Sequence, residues 1–137
     1  MTKNLWGELP KTAMVKTPYA ILLEQAAILR DMTNGLLSGD VKRIQTEFDE
    51  QGSMGERFKV KLLVVAPALA NYSYTVVVIT YPVSTLYPVT VNPSYEDKYV
   101  KCDSEEEFLQ TLEQVLSSGK TLKVVANLLA QIQADEG

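Results

Sequence analysis

The residue types that carry most enzyme chemistry are scarce in this sequence. It contains no histidine and a single cysteine, Cys102. Without histidine there is no Ser-His or Cys-His nucleophile, no histidine general base and none of the usual zinc sites. We therefore expect no catalytic residue, no cofactor and no metal site. A histidine-free enzyme that uses Asp, Glu, Tyr or Lys stays open as an alternative, although no spacing of those residues requires a cleft.

Three patterns resemble chemical sites, and each has a structural interpretation. Cys102 precedes a predicted helix, where a thiolate is favoured, but we favour the interpretation that it is a small apolar residue ending a strand. Asp103 and the glutamates at 105–107 offer oxygen ligands, yet the helix dipole alone favours acids in a first turn. Residues 119–121 read Gly-Lys-Thr, but Gln114 replaces the glycine that a phosphate-binding loop needs. We assign none of the three a function.

Tyrosines are concentrated in one part of the chain, since six of the seven lie between positions 72 and 99. Tyrosine is enriched at interfaces because its ring is apolar and its hydroxyl is polar, and it also favours strands. If these residues occupy the open face of a sheet, that face is uncharged and aromatic and suits a protein partner. The candidate contact residues on or near the sheet are Tyr72, Tyr74, Tyr81, Leu86 and Tyr87.

Residues 62–95 contain no Asp, Glu, Lys or Arg. The first part of this stretch is long enough to cross a bilayer, but it is interrupted by Pro67 and by polar residues from Asn71 onward. The β-branched residues at 76–79 favour strands, so we predict sheet strands and no membrane segment. Apolar and basic residues alternate at the start of this region, with Phe58, Val60, Leu62 and Val64 on one face and Arg57, Lys59 and Lys61 on the other.

Local signals place the first helix at residues 18–33, because Thr17-Pro18 is a typical start and Asn34-Gly35 a typical stop. Its apolar surface is wider than the stripe that one contact needs. The excess must be covered by the N-terminal arm, the C-terminal helices or a second subunit. The candidate partner-binding residues on this helix are Ile21, Ile28 and Met32.

The rest of the chain follows as strands and then helices. Val41 and Ile44 differ in parity, which predicts a bulge near residues 42–43, and Ser104 with Glu107 forms a capping box. Trp6 and Leu9 are predicted to anchor the arm to the body. The predicted strands are 36–48, 56–66, 73–81, 87–91 and 98–102, and the later helices are 104–116 and 121–133.

These elements predict one α+β domain over residues 1–137, with an arm at 1–17 and a frayed tail at 134–137. The order is a helix, a four- to five-stranded antiparallel meander sheet and two C-terminal helices, all packed on one face. The net charge of −4 argues against nucleic acid, and the single cysteine and the absence of an apolar leader favour the cytoplasm.

The function that fits these features best is a non-enzymatic protein-binding module of the adaptor, chaperone-like or inhibitor type. It would present an uncharged, tyrosine-rich sheet face or the apolar face of the first helix to a protein partner, and we expect it to be a homodimer. The alternative is a small-molecule-binding protein with an apolar pocket between the sheet and the helices.

Overall fold

A computed structural model of the chain describes residues 2–10, 15–48 and 54–136. Within these residues the chain forms one α-helix, then five strands, then two more α-helices. A 3-10 turn, Pro67–Leu69, joins the second and third strands. The elements are α1 (Pro18–Met32), β1 (Ser38–Phe48), β2 (Met54–Ala66), β3 (Tyr72–Pro82), β4 (Val89–Pro93), β5 (Val100–Cys102), α2 (Glu105–Leu116) and α3 (Gly119–Glu136).

The strands form one antiparallel sheet in the order β1-β2-β3-β4-β5. The pairing register places Gly39, Tyr74 and Cys102 on the same side of this sheet. Gly39 lies against Ala26 of α1, Tyr74 lines a cleft with α3, and the Cys102 thiol contacts Thr111 of α2. All three helices therefore cover one face, and the predicted α+β fold is confirmed.

The hydrophobic core fills the layer between the sheet and the helices. Leu22 of α1, Phe108 of α2 and Ile132 of α3 are fully buried there against Val60 and Ile79 of the central strands. Burying side chains of this size stabilises the fold by roughly 1.5–3 kcal/mol each. The opposite face of the sheet has no described element packed on it.

Both predicted helix N-caps are confirmed, whereas the third helix begins at Gly119, two residues before its predicted start. The Thr17 hydroxyl accepts a hydrogen bond from the Ala20 backbone N–H at 3.1 Å, and Ser104 accepts one from the Glu107 N–H at 3.2 Å. Glu107 in turn accepts a hydrogen bond from the Asp103 N–H at 2.6 Å. The bonds to Thr17 and Ser104 satisfy backbone donors that a helix leaves without partners in its first turn, whereas the Glu107 bond holds the residue before the cap.

The predicted bulge near residues 42–43 is wrong. Pairing between β1 and β2 is continuous from Ser38 to Thr46, so Val41 and Ile44 lie on opposite faces. Val41 is half-buried on the helix side, and Ile44 is 57% exposed on the other side. The sheet accepts an exposed isoleucine instead of distorting the strand, because a face open to water tolerates single apolar residues.

The ends of the chain also differ from the predictions. Trp6 and Leu9 do not anchor the arm, since their side chains are 85% and 75% exposed. The predicted frayed tail is helical through Glu136, because α3 continues without a break. Residues 1, 11–14 and 137 of the predicted arm and tail lie outside the described part of the chain.

Candidate functional site

The three tyrosines of β3, Tyr72, Tyr74 and Tyr81, lie on the helix side of the sheet. Tyr81 is buried, and its ring meets Phe58 edge-on at 5.8 Å between centroids. Arg43 stacks on Tyr19 of α1 at 4.4 Å and on Phe58 at 4.6 Å, measured from the guanidinium carbon to each ring centroid. Burial raises the pKa of Tyr81, and the nearby Arg43 partly offsets this. This cluster fastens α1 to the sheet edge by packing and cation–π contact.

Two other predicted contact residues follow the third strand. Leu86 and Tyr87 are half-buried and pack against the core. Burial raises the pKa of Tyr87, and the charges of Glu105 and Cys102 add to the effect. Neither residue belongs to the open face, so neither is placed to meet a partner there.

Tyr72 and Tyr74 form what we call the tyrosine cleft, between the start of β3 and α3. The Tyr74 hydroxyl accepts a hydrogen bond from the Ser94 hydroxyl at 3.5 Å, and Tyr72 is half exposed. The cleft has a volume of ≈ 410 Å³ and combines apolar and amide side chains. Its lining residues are Leu69, Tyr72, Tyr74, Val124, Asn127, Leu128 and Gln131.

The expectation of an uncharged, tyrosine-rich open face is wrong. A register shift between Leu62 and Leu63 gives β3 one extra residue, so Val76 and Val77 are both buried. Because of this shift, Tyr74 and Tyr81 share the helix side although their positions differ in parity. Such a bulge reverses the alternation along one strand.

Basic residues occupy the other side, which we call the open face. Its described ladder positions carry five basic side chains and one acid, Asp40. The chain as a whole has a net charge of −4, so positive charge is segregated onto this face. The basic residues are Lys42, Arg57, Lys59, Lys61 and Lys101.

The arrangement of two of these lysines is unfavourable for the isolated chain. Lys42 of β1 and Lys61 of β2 are direct cross-strand partners, and both are exposed. Directly opposed side chains have Cβ atoms about 4.5–5.5 Å apart, and like charges at this position destabilise a sheet. Among the described residues, none forms an ion pair with Lys42, Lys61 or Lys101.

The centre of the open face is closely packed. Thr80 is 2% exposed although no described helix covers it, so its neighbours on the face shield it. The ladder positions around it hold Val78 and Thr90, with Leu63 and Thr75 farther along. No aromatic residue occupies the open-face ladder positions at 38–46 of β1, at 57–65 of β2, or on β3, β4 and β5.

The predicted residues of α1 separate into two environments. Ile21 is buried in the core, whereas Ile28 and Met32 are exposed on the edge of a groove between α1 and α3. Val64 of β2 contributes to this helix groove, whose volume is ≈ 290 Å³. The lining residues are Gln25, Ile28, Leu29, Met32, Thr33, Val64, Leu116, Thr121, Leu122, Val125 and Leu129.

The residues considered for chemistry have structural surroundings. Cys102 is buried, its thiol donates to the Thr111 hydroxyl at 3.4 Å, and burial raises the thiol pKa. In the described part of the chain, no three acidic or cysteine side chains converge in a way that could hold a metal ion. No described helix combines the length and apolar character needed to cross a bilayer.

The open-face lysines were missing from the candidate residues, although one signal pointed to them. The alternation in β2 already placed Arg57, Lys59 and Lys61 together on one face. What the sequence lacked was the pairing that brings Lys42 and Lys101 to the same face.

Comparisons with protein-family models, with curated proteins and with solved structures find no match to this chain.

Proposed function

We propose that this chain is a non-enzymatic protein-binding module whose open face binds an acidic surface of a protein partner. The observation that carries the proposal is the direct pairing of Lys42 with Lys61. Repulsion between the two lysines costs stability in the free chain. Carboxylates of an acidic partner would attract both lysines, so the complex would regain the stability that their repulsion costs the free chain.

An acidic protein fits this face better than nucleic acid does. Single-stranded nucleic acids are bound by aromatic side chains that stack on the bases, and the open-face ladder positions around the lysine pair, at 38–46 of β1 and 57–65 of β2, carry none. The remainder of the chain is acidic and repels phosphate. Carboxylates of a protein need only positive charge and hydrogen-bond donors, which the lysines supply.

The size of the face predicts a transient complex. Five strands spaced about 4.8 Å apart, each with three or four side chains pointing outward, give the open face an area of roughly 500 Å². Standard interfaces bury about 800 Å² per partner. We therefore expect fast association steered by charge, modest affinity and a strong dependence on salt.

The first test measures binding and stability on the same variants. The probe is a fluorescent peptide of about ten residues, rich in Asp and Glu, which spans roughly 33 Å when extended. Lys61→Glu should weaken binding about 5- to 10-fold, because it removes one attraction and adds one repulsion. The same change should raise the free energy of unfolding by about 0.2–1 kcal/mol, because it replaces a like-charge pair with an opposite one.

The matched control is Lys123→Glu on α3, which changes net charge equally but lies away from the open face. It should leave peptide affinity within about twofold. Equal losses for Lys61→Glu and Lys123→Glu would show that net charge alone attracts the peptide and would overturn the proposal. Tighter binding of a single-stranded oligonucleotide than of the acidic peptide would overturn the choice of partner.

The second candidate function, binding of a small molecule, is favoured by the tyrosine cleft. Its volume of ≈ 410 Å³ lies within the usual range for ligand sites, about 300–1,000 Å³. Its two tyrosines and two amides combine apolar contact with hydrogen bonding. A thermal-shift screen of planar amphipathic compounds should then give hits that Tyr72→Ala abolishes. A screen whose hits all survive this change would reject the cleft.

A further inference from the structure

No described residue of the same chain covers the helix groove. Ile28, Met32 and Leu122 stand exposed around it, with Ile28 45% and Met32 76% accessible. These side chains belong to α1 and α3, which frame the groove above Val64 of the sheet. Contiguous exposed apolar side chains of this kind mark an interaction surface.

The N-terminal arm carries exposed apolar side chains of its own. Within the described residues 2–10, Leu5, Trp6 and Leu9 are 86%, 85% and 75% exposed. The Trp6 backbone N–H donates to the Asn4 side-chain oxygen at 2.9 Å, and the Asn4 amide donates to the Gly7 carbonyl at 3.3 Å. The arm thus has local order around its tryptophan, while Leu5, Trp6 and Leu9 are not buried against any described part of their own chain.

We propose that the arm of a second copy of this chain fills the helix groove, so that two copies exchange arms in a symmetric homodimer. Such an exchange is reciprocal and closed, because each copy supplies one arm and one groove. Tryptophan is the residue type most often found at the energetic centre of an interface. Trp6 is the sole tryptophan of the chain and is the natural anchor.

The dimensions of the groove and the arm agree. A volume of ≈ 290 Å³ is small for a drug-sized ligand but has room for one or two large side chains. Burying Trp6 and one leucine of an arm removes roughly 300 Å² from water, by analogy with the 150–250 Å² of one aromatic residue. Two arms and their groove walls then bury about 1,200 Å², the lower end of the range for specific interfaces.

Charge favours the groove over the open face as the contact between copies. Stacking two open faces would oppose Lys42, Lys61 and Lys101 of one copy with the same residues of the other. The groove is lined by apolar side chains with Gln25, Thr33 and Thr121 as its polar members, so it carries no such penalty. This inference is independent of the proposed acidic partner, since it uses the opposite side of the sheet.

The test follows mass and tryptophan emission together over a dilution series. We expect a particle of twice 15.2 kDa at high concentration, with Trp6 emission shifted to the blue. On dilution, mass and emission should change together. Ile28→Glu and Trp6→Ala should each weaken dimerisation at least about 10-fold, and the unfolding midpoint by circular dichroism establishes that both remain folded.

Leu23→Glu is the matched control, because Leu23 lies on the same helix, is 43% exposed and does not line the groove. It should leave the dimer intact. Met32→Glu serves as the second groove variant if Ile28→Glu does not fold. Mixing Trp6→Ala with Ile28→Glu should give a heterodimer held by one intact contact and weaker than the wild-type dimer, because the first retains a groove and the second retains an arm.

Three outcomes would overturn the proposal. The first is a monomer at all concentrations with red, water-exposed Trp6 emission. The second is a monomer whose emission is blue at every concentration, which would place the arm in the groove of its own chain. The third is a dimer that survives Ile28→Glu and Trp6→Ala alike, which would place the interface elsewhere.

Discussion

At the scale of single residues, the thiol of Cys102 is protected by its surroundings. It is 1% exposed, and burial, with Glu107 and Asp103 nearby, raises its pKa above the ordinary 9.0. We expect a disulfide reagent to modify it at least about 100-fold more slowly in the folded chain than in urea at pH 7. The unfolded chain is the reference, because it exposes the same single cysteine. Equal rates would restore the hypothesis of a reactive thiol.

Residues whose side chains bond to the backbone a few positions away were the easiest to predict from sequence. Thr17 and Ser104 cap helices because a side-chain oxygen reaches a backbone N–H three residues away, and no distant contact is needed. Trp6 is the opposite case. Its preference for burial is real, but which surface covers it depends on parts of the molecule, or on copies of it, that local sequence does not specify.

At the scale of elements, α1 and β1 approach so closely that only glycine fits between them. A β-carbon on Gly39 would collide with Ala26 of α1. We expect Gly39→Ala to lower the free energy of unfolding by about 1–3 kcal/mol, measured in urea. Gly119→Ala is the control, since nothing lies within 4 Å of its added carbon. Adding Ala26→Gly should recover part of the loss, and full stability of Gly39→Ala would contradict the close contact.

The order and type of the elements followed from sequence, but the faces did not. Caps and alternation are local patterns, and they located the helices and β2 without knowledge of the fold. The side taken by each tyrosine depended on the extra residue that β3 inserts near Val76, which alternation cannot reveal. One shifted residue therefore separated the predicted aromatic face from the lysine face that the sheet presents.

At the scale of the whole molecule, the two sides of the sheet have different characters. One side carries the helices and the apolar groove, and the other carries the lysines. The net charge of −4 does not reveal this segregation, because it adds together the charges on both sides of the sheet. A dimer joined through the grooves leaves both lysine faces outermost, pointing away from each other.

Such a dimer carries two lysine faces that point in opposite directions, so it should link two separate acidic surfaces. Beads coated with the acidic peptide should therefore aggregate at an at least about 10-fold lower concentration of the wild-type chain than of Ile28→Glu. With the same peptide free in solution the two should bind equally, because Ile28 is remote from the open face. Lys61→Glu should weaken both measurements. If Ile28→Glu and wild type aggregate the beads at the same concentration, exchange of arms through the groove does not join two open faces.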